Sequence, residues 1–153
     1  MIDAEQQLSA MGLKLPEAPK PVANYVPFII SGDQLFISGQ ISTDDAGRVL
    51  TGVLGAGMSI EEGRAAARHA ALNILAQAKT ALGSLERIVQ VLRLTSYVAS
   101  SAGFSDQPKV ITVLPISWSP FLPMRARHTR SAVGVASLLL GACVEIDAIL
   151  KIR

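Results

Sequence analysis

The chain has a single cysteine, Cys143, which excludes an intramolecular disulfide and any cysteine-cluster metal site. No stretch approaches the roughly 18 uninterrupted apolar residues of a membrane helix. The first thirty residues carry Asp3, Glu5 and two glutamines, so a secretory signal does not fit either, and a cytoplasmic address is the expectation. Charge is scarce: 17% of the residues are charged, and 14 basic against 12 acidic residues leave a formal charge of +2. Apart from Arg125, Arg127 and Arg130 the basic residues are scattered. No basic stripe interleaved with aromatics is present, which gives nucleic acid weak support as a partner. What remains is apolar, half of 153 residues, enough for one domain spanning 1–153 and a surplus that implies surface hidden against copies of the same chain.

Local patterns order the chain as α+β. "IDAEQQLSAMGL", residues 2–13, reads as a short helix stopped by Gly12, and "LKLPEAPKP" as a stiff extended connector, so that residues 1–23 form a helix and link ahead of the main body. "NYVPFIISGDQLFISGQIS" holds two β-rich runs about Ser31, Gly32 and Asp33, a hairpin. Gly47, Gly52, Gly55 and Gly57 mark a long turn region, too widely spaced for a phosphate loop. Ser59 with Glu62 matches a capping box, and Ala67, Ala71, Ile74, Leu75, Ala78 and Leu82 follow at helical spacing until Gly83. "RIVQVLRLTSYVAS" alternates with both sides largely apolar, the pattern of a central strand covered on both faces. The order predicts a mostly antiparallel sheet with helices on one face.

The last strands carry the chemistry. Ser131–Leu138 and Cys143–Ile152 flank "LLGA", which predicts a terminal hairpin pairing Leu138 with Cys143, Ala136 with Glu145 and Gly134 with Asp147. One face then carries Arg130, Ala132, Gly134, Ala136, Glu145, Asp147 and Lys151, and the other the core residues Val133, Val135, Val144, Ile146, Ala148, Leu150 and Ile152. In that register Arg130 stands six residues, roughly 20 Å, from Glu145. Two such groups serve one site only if a second subunit brings them together, so cyclic assembly is expected.

"RSAVGVASL" followed by "VEIDAI", with "YVPFIISGDQLFISGQI" earlier in the chain, resembles the RidA/YjgF family, often labelled L-PSP endoribonuclease. The likeness runs through "ARHAALNILAQAKTALGSLERIVQVLRLTSYV", and the N-terminal helix with "APKPVANY" resembles the family's longer branch. The resemblance implies a chorismate-mutase-like fold, a homotrimer, and sites in the clefts between subunits. It also implies hydrolysis of reactive enamines and imines to 2-oxo acids and ammonia, with no cofactor and no metal. By motif position Arg130 is the arginine that holds a substrate carboxylate, and Glu145 the catalytic acid that positions or activates water. Tyr25 precedes the first strand, and Ser38 and Gly39 form the "SGQ" turn that contacts substrate. Ala132 departs from members with cysteine there, which speaks against a thiol role.

The chemistry is coherent without the family. A planar guanidinium grips a small carboxylate through two parallel hydrogen bonds, and an imine carbon is already polarised, so the protein has only to place water and a proton-transfer group. Plainer readings stand beside these roles: Arg130 as a rim cation in an ion pair, Glu145 as a salt-bridge partner across a trimer, Tyr25 as a packed wall, His69 as solvated, His128 as a bystander, Cys143 as an apolar filler. The rival functions are a non-catalytic trimer that binds small carboxylates and, with least support, an endoribonuclease. One segment conflicts with its flanks. "TVLPISWSPFLPMRA", Thr112–Ala126, carries Pro115, Pro120 and Pro123 where the resemblance implies a helix beginning "NGASDL", and each interior proline costs about 3 kcal/mol. Bases encoding "NGASDLMVAVLADAG", read one position later, give these fifteen residues, so a paired frameshift is the expectation that resequencing the gene tests against a natural loop.

Overall fold

The computed structural model describes residues 3–111 and 127–153; the conflict at Thr112–Ala126 lies outside them. Helix α1 (Ala4–Ala10) is shorter than the sequence pattern and starts in a capping box between Asp3 and Gln6. It seats Ala4 and Leu8 in the core, and Glu5 pairs with Lys79 of the long helix. Strands β1 (Phe28–Ser31) and β2 (Gln34–Ile41) form the expected hairpin, Ser31 opposite Gln34, with Gly32 at φ 59 where a side chain would be strained.

Helix α2 (Ile60–Leu82) begins and ends as the sequence predicts. Ser59 accepts the Glu62 amide at 3.1 Å, Glu62 returns a bond to the Ser59 amide at 2.8 Å, and Gly83 closes the helix in the left-handed region at φ 76. Ala67, Ala71, Ile74, Leu75 and Ala78 are fully buried, and their small side chains let the helix lie close over the sheet, against β2 and β5. Strand β3 (Ile88–Ala99), the one-turn helix α3 (Gln107–Ile111), β4 (Thr129–Val135) and β5 (Val144–Ile152) complete the sequence of elements. No described helix is long and apolar enough to cross a membrane.

The sheet order is β1-β2-β5-β3-β4, antiparallel throughout except for the parallel pair β3–β4. The predicted terminal hairpin is therefore wrong. Strand β5 inserts between β2 and β3, where both edges of its backbone are paired and its apolar positions Val144, Ile146, Ala148, Leu150 and Ile152 are buried under α2. Strand β4 is left at the edge. The pairings Leu138–Cys143, Ala136–Glu145 and Gly134–Asp147 do not occur, and "LLGA" is a single turn of helix in a crossing connection, with Leu140 at φ 55.

The face assignment changes with the pairing. Leu94 is opposite both Arg130 and Ala148, and Val98 opposite both Gly134 and Val144. Cross-strand partners share a face, so Arg130, Ala132 and Gly134 lie on the helix side. Tyr97 is opposite both Val133 and Glu145, and Thr95 opposite Asp147, which puts Glu145, Asp147 and Val133 on the other side. Val133, expected in the core, is 42% exposed there. The space over Gly134 is used by this chain itself: a Cβ would meet the Gln107 amide at 2.6 Å and the Ser100 hydroxyl at 2.5 Å. Strand β3 is central, as predicted, but only one of its faces is buried, with Ile88, Val91, Leu94 and Val98 in the core, while on the other Arg93 is exposed and Val89, Leu92, Thr95 and Tyr97 only half-buried.

Candidate functional site

The β2–β5 ladder is interrupted once. Register shifts between Ile37 and Gln40, so Ser38 and Gly39 bulge out of the pairing. The bulge brings the Gly39 backbone against the side chain of Glu145: a Cβ at position 39 would lie 2.2 Å from Glu145 Oε1 and 3.0 Å from Cδ. Glycine at 39 admits this close approach, and the carboxylate occupies the space a side chain would take.

Tyr25, Gly39 and Glu145 line one cavity of about 520 Å3, together with the extended segment Pro16–Val22, the turn Thr43–Gly47, Asn73 of α2, and Leu139 and Leu140. Of the residues read as a site, three meet in it. Ser38 does not line it; its hydroxyl donates to the Val26 carbonyl at 2.7 Å and its amide to Pro27 at 2.9 Å, which fixes the approach that carries Tyr25. Tyr25 is 46% exposed and stands at the wall. Arg130 is outside the cavity, exposed on the edge strand.

Burial pushes the Glu145 carboxyl above its ordinary range, and the Asp147 carboxylate two residues on, on the same face, adds to it. Asp147 accepts the Tyr97 hydroxyl at 3.2 Å, and burial followed by Asp147 raises that phenol too. A half-buried carboxyl raised toward neutrality suits proton transfer to and from water. Cys143 is a buried filler as expected, its Sγ 3.5 Å from Ser42 Oγ and its thiol raised by burial. His69 approaches Asp45 at 4.0 Å rather than standing free in solvent.

The sequence matches, over residues 5–144, the family described as "YjgF/chorismate mutase-like, putative endoribonuclease". The protein TCP17 of Trypanosoma cruzi is 43% identical over 147 residues, 95% of this chain and 92% of that protein. The crystal structure of Atu1372 from Agrobacterium tumefaciens, described as of unknown function, superposes with a TM-score of 0.89 at 41% identity, over 97% of this chain and 93% of that one. RidA from an Antarctic Psychrobacter shares the fold at 28% identity, with a TM-score of 0.62 over 89% of this chain and 94% of that one. The chain belongs to the RidA/YjgF family.

Several lining residues escape a reading of the sequence. The connector is legible as stiff but not as a cavity wall. Asn73 donates to Thr43 Oγ1 at 2.7 Å and to the Ile41 carbonyl at 3.2 Å, fixing one end of the cavity. Asn73 and Gln77, two polar side chains four residues apart beside the alanine stripe, were the available signal.

Proposed function

We propose that this chain is a hydrolase of small 2-imino and 2-enamino acids, releasing the 2-oxo acid and ammonia, and that it works as a cytoplasmic homotrimer with sites between subunits. The observation that carries this is the Glu145 carboxyl, half-buried, raised and held over the Gly39 bulge in a cavity of ligand size. In this reading the whole chain acts as one domain, and the reaction calls on no cofactor.

The substrate carboxylate is held by Arg130 of a neighbouring subunit through two charge-assisted hydrogen bonds. Ionised Glu145 takes a proton from water as its oxygen attacks the imine carbon and the C=N electron pair moves onto nitrogen. Returning that proton to nitrogen gives the amino alcohol. The hydroxyl of the amino alcohol then passes its proton by way of Glu145 to the nitrogen as C=O forms, C–N breaks and ammonia leaves. An enamine first takes a proton at carbon and gives one up from nitrogen to become the imine. With alanine at position 132 there is no thiol there to take part. The RNA cleavage named in the family description finds little support in scattered basic residues.

The test is direct. An amino-acid oxidase generates the imino acid in place, and its decay is followed with and without the protein. Acceleration that is lost in Glu145→Gln supports the reading. No acceleration over buffer, with Arg130→Ala indistinguishable from the parent, leaves a carboxylate-binding protein instead.

A further inference from the structure

Two glutamine side chains are buried between the helix layer and the sheet: Gln77 of α2 is 1% exposed and Gln40 of β2 is 7% exposed. Buried amides are costly unless bonded, and these bond in series. Gln77 Nε2 donates to the Pro19 carbonyl at 2.7 Å and to Gln40 Oε1 at 3.3 Å; Gln40 Nε2 donates to the Ser38 carbonyl at 3.0 Å. Ser38 in turn holds Val26 and Pro27, and Gly39 beside it faces Glu145. One hydrogen-bonded path therefore joins the segment Pro16–Val22, the bulge and the Tyr25 approach.

We infer that Gln77 and Gln40 are positioning residues that lock the Pro16–Val22 segment to the Ser38–Gly39 bulge, making that segment the element that selects ligands by side-chain length. The prolines at 16, 19 and 21 have no amide to donate, so Pro19 is tied through its carbonyl, and Gln77 supplies the donor. A cavity of about 520 Å3 is several times what a three-carbon acid fills. Beyond Glu145 the segment lines the cavity with Pro16, Pro19, Pro21 and Val22 as well as Glu17 and Lys20, so its position sets how long a side chain the space accepts.

This rests on the reading that the reacting end lies at Glu145, and its test is read separately from turnover. Gln77→Met keeps length and loses both polar atoms; Pro19→Gly with Pro21→Gly loosens the same segment from its outer side, where the core is not touched. Hydrogen exchange at Glu17, Ala18, Lys20 and Val22 is measured alongside calorimetric binding of pyruvate, 2-oxobutanoate and 4-methyl-2-oxopentanoate, unreactive products of graded length. In the parent the longest acid binds at least fivefold tighter than pyruvate. In either variant exchange at the four amides rises at least tenfold and that ratio falls toward one. Unchanged exchange, an unchanged ratio despite faster exchange, or a parent that binds none of the acids overturns the inference. Should the parent bind with the expected preference yet hydrolyse no imine, the catalytic reading fails and the selecting segment stands.

Discussion

The carboxylate of Glu145 sits where a side chain at position 39 would have to go, 2.2 Å from the Cβ that Gly39 lacks. The contact is with the far end of a flexible side chain, so an added methyl turns the carboxylate aside and leaves the backbone in place. Gly39→Ala is expected to cost about 0.5–1.5 kcal/mol of stability through an off-rotamer glutamate. Displacement of about 1 Å lowers imine hydrolysis on the order of 100-fold. Thermal melting and initial rates of the same preparation check the split: a large loss of stability with proportionate loss of rate contradicts it.

Glu145 also predicts a pH dependence of folding whose sign is fixed by the raised carboxyl. Between the ordinary value of 4.5 and the raised folded value the native state binds more protons than the unfolded chain. Stability therefore falls as pH rises through that window, and the deficit persists above it. Below 4.5 both states are protonated and the residue contributes nothing. Glu145→Gln removes the deficit, so in urea titrations from pH 4 to pH 8 the variant matches the parent at the acid end and exceeds it at the alkaline end. A difference that does not change with pH contradicts the assignment.

Ser59→Ala tests the most local part of the fold. It removes one half of the capping box of α2, leaving the Glu62 amide without its 3.1 Å partner. The expected cost is about 1 kcal/mol, which lowers the melting temperature by about 2–4 °C in a chain of this size. A shift below half a degree means that tertiary packing alone sets the start of the helix.

That cap, the alanine stripe and the 28–41 hairpin were legible because they are written in residues a few positions apart. The end of the chain was not, for a physical reason. Adjacent strands commonly pair, but β5 gains more by entering the middle of the sheet, where both edges are bonded and five apolar side chains are covered. That placement depends on β3 and β2, about fifty and about a hundred residues earlier, and no local pattern around "LLGA" announces it. Tyr25, Gly39 and Glu145 were found from motif residues and do share a cavity. The wall that completes it comes from a connector whose prolines indicate stiffness but not destination.

The same topology sharpens the case for a shared site. Arg130 and Glu145 are three residues apart along β3, about 10 Å, and two strand spacings apart across it, about another 10 Å. They also point to opposite faces of the sheet, so one small acid cannot touch both within a chain. Arg130 makes no ion pair among the described residues, and its loss leaves no buried charge unpaired. Arg130→Ala should fold with stability within about 0.5 kcal/mol of the parent while losing about 1.5–3 kcal/mol of carboxylate binding. Arg130→Lys, which keeps charge without the planar fork, falls between. Mixing Arg130→Ala chains with Glu145→Gln chains, unfolding and refolding them together, then gives some interfaces with both native groups. For random assembly in a ring, about one interface in four is intact, so an equal mixture recovers about a quarter of parental activity from two inactive proteins. Recovery of that size requires the arginine of one subunit to serve the glutamate of another, whereas a mixture as inactive as its components places both groups of each site in one chain, against the geometry of this sheet.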